Sequence, residues 1–123
     1  MLDKSKIYAI VGASENEEKY GFKVLKDLKD AGYNVIPVNL RGGEILRLKV
    51  YPTLLEIPKK VDVAVFIVPP SVTEEILKTV KNLKIEKVWL QPGSESKKAI
   101  EFCKKNGIEC VYDACVMIER RKS

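Results

Sequence analysis

Gly12-Ala13-Ser14 directly follows a short apolar run, and Gly21 stands at the head of the next amphipathic stretch. A glycine turn leading into a helix start brings backbone N–H groups and about half a positive charge to one point, an arrangement suited to a phosphate. The spacing is not the dinucleotide fingerprint, because Ser14 replaces its second glycine and Gly21 comes too late to be the third. The same glycines serve equally well as a plain strand-to-helix turn. Further on, Val38-Asn39-Leu40-Arg41 closes a second apolar run. A site for NAD wants an acidic residue there, whereas Asn39 is neutral and Arg41 offers a forked donor suited to a phosphate carried on a ribose. An ordinary exposed arginine is the alternative.

Three later stretches fall at comparable places. Val68-Pro69-Pro70-Ser71 supplies rigid apolar surface able to flank a base or a pantetheine arm, or two prolines that simply stop a strand. Gln91-Pro92-Gly93-Ser94 brings an amide and a turn, with Gln91 as a polar contact or as part of the turn itself. Cys115 offers a thiol, although a small buried hydrophobe is the better reading for a free cysteine.

What composition excludes narrows the chemistry. The chain contains no His, which removes the commonest general base and every Ser-His or Cys-His nucleophile arrangement. Cys103, Cys110 and Cys115 are odd in number and lack a CxxC pair, so reduced thiols are expected and a zinc site is not. The net charge of +5 is spread as interleaved Lys and Glu. Without a basic stripe and interleaved aromatics, nucleic-acid binding is not expected. The longest apolar run, 61–70, is interrupted by Asp62 and reaches about half the length of a membrane span. No secretory pattern follows Met1, so a cytoplasmic protein without membrane association is expected. At 123 residues, 46% of them hydrophobic, the chain has the size of one domain with a core of its own.

The elements that must position these residues alternate. Strands are expected at Ile7 to Val11, Tyr33 to Val38, Val63 to Val68, Lys87 to Leu90 and Glu109 to Tyr112, with a brief edge strand at Lys49 to Tyr51 stopped by Pro52. Helical spacing covers Gly21 to Ala31, closed by Gly32, and Ser96 to Asn106, closed by Gly107. Ser71 followed by Glu74 reads as a capping box opening the helix between them. Thr53 can cap the short turn Leu54 to Ile57. Strands alternating with helices give an α/β fold: a three-layer, doubly wound parallel sheet of Rossmann type, in strand order 3-2-1-4-5-6. A single domain over residues 1–119 with a loose tail at 120–123 follows, its ligand lying beyond the carboxyl ends of the strands.

Together these residues resemble a known family, the small stand-alone CoA-binding proteins, whose fold is shared with the nucleotide-binding domain of the succinyl-CoA synthetase alpha subunit. The likeness is carried in order by Val11-Gly12-Ala13-Ser14, by 31–39 (AGYNVIPVN), by Val50-Tyr51-Pro52-Thr53-Leu54 with Ile57-Pro58, by Val68-Pro69-Pro70, by 88–93 (VWLQPG) and by 113–119 (DACVMIE). The resemblance implies that Gly12, Ala13 and Ser14 lie against the diphosphate of coenzyme A. It implies likewise that Val38, Asn39 and Arg41 take the adenosine end with its 3′-phosphate, that Val68 and Pro69 flank the nucleotide, and that Gln91 and Gly93 line the pantetheine route. Two departures are visible: the loop Glu15 to Tyr20 lacks the Arg-Pro pair common in relatives, and Leu40 replaces a usual Pro. The synthetase works through a catalytic His in a further domain, so ligase activity is not implied for this chain. The expectation is non-catalytic binding of coenzyme A or an acyl-CoA, as carrier, sensor or partner module of an enzyme or of a homo-oligomer. The alternative is an NADP-binding protein with a redox role, and a mixed disulfide between Cys115 and coenzyme A is a further variant.

Overall fold

In the computed structural model, which describes residues 2–123, five strands pair in parallel: β1 (Ile7–Val11), β2 (Asn34–Val38), β5 (Val63–Phe66), β6 (Lys87–Leu90) and β7 (Glu109–Val111). Met1, where the expected domain begins, lies outside the described residues. The spatial order is β2-β1-β5-β6-β7. The chain first winds outward from β1 to β2 and then returns to the other side of β1 with β5. The point of reversal is therefore the gap between β1 and β5, and a crevice opens there above the strand ends.

Alternate residues of each strand enter two separate cores. Ala9, Val11, Ala64, Phe66, Val88 and Leu90 face α2 (Pro70–Asn82) and α3 (Lys97–Lys105) through Leu77, Val80, Ala99 and Cys103. On the opposite face, Tyr8, Ile10, Val63, Val65 and Trp89 meet α1 (Tyr20–Asp30) and α4 (Val116–Lys122) through Val24, Leu25, Leu28 and Val116. Burial on both faces is why the central strands read as unbroken apolar runs. No helix among the described residues is long and apolar enough to cross a membrane.

Four expectations are corrected. The expected edge strand at 49–51 contributes only a parallel bridge from Tyr51 to Val38, and the preceding residues form a small hairpin of β3 (Glu44–Ile45) and β4 (Leu48–Lys49). Pro52 prevents the bridge from extending. Helix α2 starts at Pro70 with Pro69 as its N-cap, so Ser71 already lies inside the helix and makes no capping box. The fixed φ of proline is pre-organised for the first helical position, and that outweighs the serine signal. Glu74 instead accepts a hydrogen bond of 2.7 Å from Ser96 Oγ at the start of α3. Strand β5 stops at Phe66 rather than Val68, because the N–H of Val68 turns aside to Ser94 Oγ at 3.1 Å.

The tail expected to be loose at 120–123 belongs mostly to α4. Three contacts hold that short helix. Val116 is fully buried, its N–H donates to Gln91 Oε1 at 2.7 Å, and Arg120 grips the carboxylate of Asp27 on α1 with two bonds of 2.6 and 2.9 Å. The pair is largely sheltered, and Asp27 holds the Arg120 guanidinium above its ordinary pKa. Arg120→Ala should lower the unfolding free energy, because α4 then loses both of its bonds to Asp27 on α1. A urea titration reads this as an earlier midpoint with unchanged slope.

Candidate functional site

The turn after β1 is built around two close backbone approaches. Gly12 has φ +99°, and a Cβ there would lie 2.2 Å from the carbonyl oxygen of Ile67, where the chain leaves β5. Gly21, in the first turn of α1, faces back onto this turn: a Cβ on it would lie 2.1 Å from the Gly12 carbonyl oxygen and 3.2 Å from the Ser14 nitrogen. Although its spacing differs from the dinucleotide fingerprint, Gly21 performs the job of that motif's last glycine, which is to let the helix pack tightly on the turn. The departure from the dinucleotide spacing stands, and Gly21, expected at the site, lies against the turn.

The N–H groups of Gly12 and Ala13 both donate to the Val38 carbonyl, at 3.1 and 3.3 Å. They tie β1 to the end of β2 and are spent. The donors left in the turn are the N–H groups of Ser14 and Glu15, which have no acceptor among the described residues. Beyond them, Ser14 Oγ accepts from the Asn16 N–H and Asn16 Oδ1 from the Glu18 N–H, each at 3.0 Å. These local side-chain bonds shape the loop that delivers the N-terminus of α1 to the crevice.

Three adjoining clefts occupy the carboxyl edge. One, of about 620 Å³, is walled mainly by apolar side chains, among them Val38, Leu40, Leu54, Val68, Val72 and Ile76. A second, also about 620 Å³, is polar and lies between the loop Ser14-Glu15-Asn16, Lys19 and the turn Arg41-Gly42-Gly43. The third, about 450 Å³, lies over Gly12, Ala13, Ser14 and Gly21, with Tyr20 and Ile67 at its sides. Asn39 lines all three. Among the described residues, four of the six exposed large hydrophobic side chains, Tyr20, Leu40, Leu55 and Val72, line these clefts. Such a concentration of exposed apolar surface marks a place built to be covered.

Charge follows the same division. Arg41 and Lys19 both border the polar cleft, and neither side chain has an ion-pair partner among the described residues. Glu15 and Glu44 stand on the same rim. Helices α1 and α2 both direct their N-termini toward the crevice, adding partial positive charge without a side chain.

The structure thus brings together Gly12, Ala13, Ser14, Gly21, Val38, Asn39, Arg41 and Val68. It does not bring Pro69, Gln91, Gly93 or Cys115 onto a cleft wall. Gln91 is only 4% exposed, and besides accepting from Val116 it donates from Nε2 to Cys115 Sγ at 3.5 Å. Its polar groups brace the start of α4. The Gly93 N–H donates to Glu95 Oε1 at 2.7 Å within its own turn. Cys115 is half-buried at the N-cap of α4, where the sequence favoured a small buried hydrophobe. That role belongs to Cys103, whose thiol is pushed well above the ordinary cysteine range by its hydrogen bond to Cys110 and by burial; the same bond holds the Cys110 thiol down. Sequence reasoning missed Lys19 and the apolar lip formed by Leu40, Leu55 and Val72.

The sequence profile of the CoA binding domain matches residues 6–121. The chain belongs to that family. Among relatives of this CoA binding domain, the alpha subunit of the ADP-forming acetate–CoA ligase I of Pyrococcus furiosus is 34% identical, over 87% of this chain and 27% of that subunit. Bacillus subtilis YneT is 33% identical over 96% of this chain and 87% of its own length. A solved structure of a conserved hypothetical protein from P. furiosus superposes with a TM-score of 0.87 at 45% identity, covering 93% of this chain and 97% of that one. The chain therefore spans about a quarter of the ligase subunit but nearly the whole of the small relatives. The five-stranded parallel sheet and its flanking helices are shared with that small structure.

Proposed function

We propose that this CoA binding domain holds coenzyme A in the three clefts that meet at Asn39. The observation that carries the reading is the pairing of an apolar cleft with a polar one bearing two unpaired cations, on either side of one residue. The adenine ring suits the apolar cleft, between Leu40 and Val72. The 3′-phosphate suits Arg41, with Lys19 opposite, since a forked guanidinium matches a phosphate. The diphosphate fits the third cleft, where Ser14 and Glu15 offer free N–H groups beside the N-terminus of α1. From Ile67 the pantetheine arm runs along the carboxyl ends of β5 and β6 toward the Gly93 turn. Gln91 supports that rim through α4 rather than by touching the ligand.

The role that follows is binding rather than catalysis, as a carrier, a sensor of free or acylated coenzyme A, or a partner module for an enzyme. The sequence holds no His and no Cys lines the clefts, which favours binding over covalent catalysis. Backbone amide shifts followed by NMR during addition of coenzyme A test the placement. Residues 12–21, 38–43 and 68–76 should move while 103–110 stay still. Shifts confined to α4 and the 91–95 turn would contradict it.

A further inference from the structure

Asn39 is hydrogen-bonded to three separate stretches of the chain, at Ala13, at Arg41-Gly42 and at Tyr51. Its Nδ2 donates to the Ala13 carbonyl at 2.7 Å, on the turn after β1. Its Oδ1 accepts from the Arg41 N–H at 2.9 Å, on the turn after β2. Its own N–H donates to the Tyr51 carbonyl at 3.0 Å, and its carbonyl receives the Gly42 N–H at 2.9 Å. One carboxamide therefore clasps the loop beside the diphosphate cleft to the loop that carries Arg41.

What surrounds Arg41 makes that clasp decisive. Leu40 before it is 84% exposed, and Gly42 and Gly43 after it both have positive φ. A segment with no packed side chain and two successive glycines has little conformational restraint of its own. The Arg41 guanidinium has no partner among the described residues to fix it from the far end. The backbone position of Arg41 is thus set by the 39–42 turn, in which the Arg41 N–H donates to Asn39 Oδ1 and the Gly42 N–H to the Asn39 carbonyl. An amide is the side chain suited to this place: it donates to one loop and accepts from the other, whereas a carboxylate would face the Ala13 carbonyl with a second acceptor.

We propose that Asn39 is the positioning residue for recognition of the ribose phosphate: it holds Arg41 in register with the diphosphate turn, so that selectivity for a 3′-phosphorylated nucleotide depends on Asn39 as well as on Arg41. This rests on the reading of Arg41 given above. Asn39 adds no charge, so it acts on selectivity only through Arg41, and the two residues behave as one unit.

The test compares wild type, Asn39→Ala, Asn39→Ser, Arg41→Ala and the Asn39→Ala/Arg41→Ala double variant. Each is titrated with coenzyme A and dephospho-coenzyme A, and each free protein is examined by ¹⁵N relaxation over residues 39–43. Asn39→Ala should reduce the preference for coenzyme A by about tenfold, roughly one hydrogen-bond-dependent alignment. The double variant should discriminate no worse than Arg41→Ala alone. The 39–43 backbone should become mobile in Asn39→Ala, with residues outside that turn and the Ala13 loop at the other end of the clasp unchanged. Asn39→Ser, whose hydroxyl can still accept from the Arg41 N–H, should recover part of the preference. If Asn39→Ala weakens both ligands equally, or leaves 39–43 rigid, Asn39 is a direct contact or a structural residue and the assignment is overturned with the binding reading intact. If wild type binds neither ligand, the binding reading fails and takes this assignment with it.

Discussion

Gly12→Ala should cost about 3 kcal/mol or more of stability and abolish coenzyme A binding in whatever fraction stays folded. Two separate penalties combine. An L-residue at φ +99° is strained, and its Cβ would lie 2.2 Å from a backbone oxygen and 2.8 Å from the Val68 side chain. Backbone in a buried crossover cannot withdraw as a flexible side chain can, so either β1 or the exit of β5 has to shift. Two controls divide the effect. Gly43→Ala, at φ +87° with nothing within 4 Å of the new methyl, carries the strain alone and should cost about 1–2 kcal/mol. Gly21→Ala carries the clash alone, because alanine is otherwise favoured by about 1 kcal/mol inside a helix. A net loss at Gly21 would measure how tightly α1 is pressed on the turn. Urea midpoints for the three variants give the comparison.

Arg41→Ala should weaken coenzyme A by about 10- to 100-fold, the range of a charge-assisted phosphate contact, while leaving dephospho-coenzyme A nearly unaffected. Stability should change by less than about 0.5 kcal/mol, since the side chain is exposed and unpaired. Added salt should weaken wild-type binding of coenzyme A more than it weakens the variant's, because the exposed charge pair is screened. Calorimetry at two ionic strengths reads both effects. Equal losses for the two ligands would move the 3′-phosphate away from Arg41.

The contrast between these residues explains what could be read from the sequence. Strand β6 was legible to the residue and the ends of α3 to within one residue, because Ser96 accepts from the Ala99 N–H at 3.0 Å and Gly107 takes a positive φ. Those signals are local. The β3–β4 hairpin had none: its turn puts Leu46 and Arg47 at φ 51° and 66°, where Asn and Gly are the usual occupants. Helix α4 is too short to be stable by itself and exists because Gln91, Asp27 and the core under Val116 hold it. The site divides in the same way. Gly12, Asn39, Arg41 and Val68 could be found because they follow strands, and strand ends converge in this topology. Lys19, Leu55 and Val72 belong to the site only because a loop, a turn and a helix from distant stretches meet there. Gln91 looked like a ligand residue for the same reason of position, yet its amide is consumed by α4.

The most direct test of the account is calorimetric titration of the reduced protein with coenzyme A, dephospho-coenzyme A, NADP and NAD. The account predicts that coenzyme A binds tightest, that dephospho-coenzyme A binds measurably weaker, and that NAD is bound least. Binding of NADP without binding of coenzyme A would contradict it.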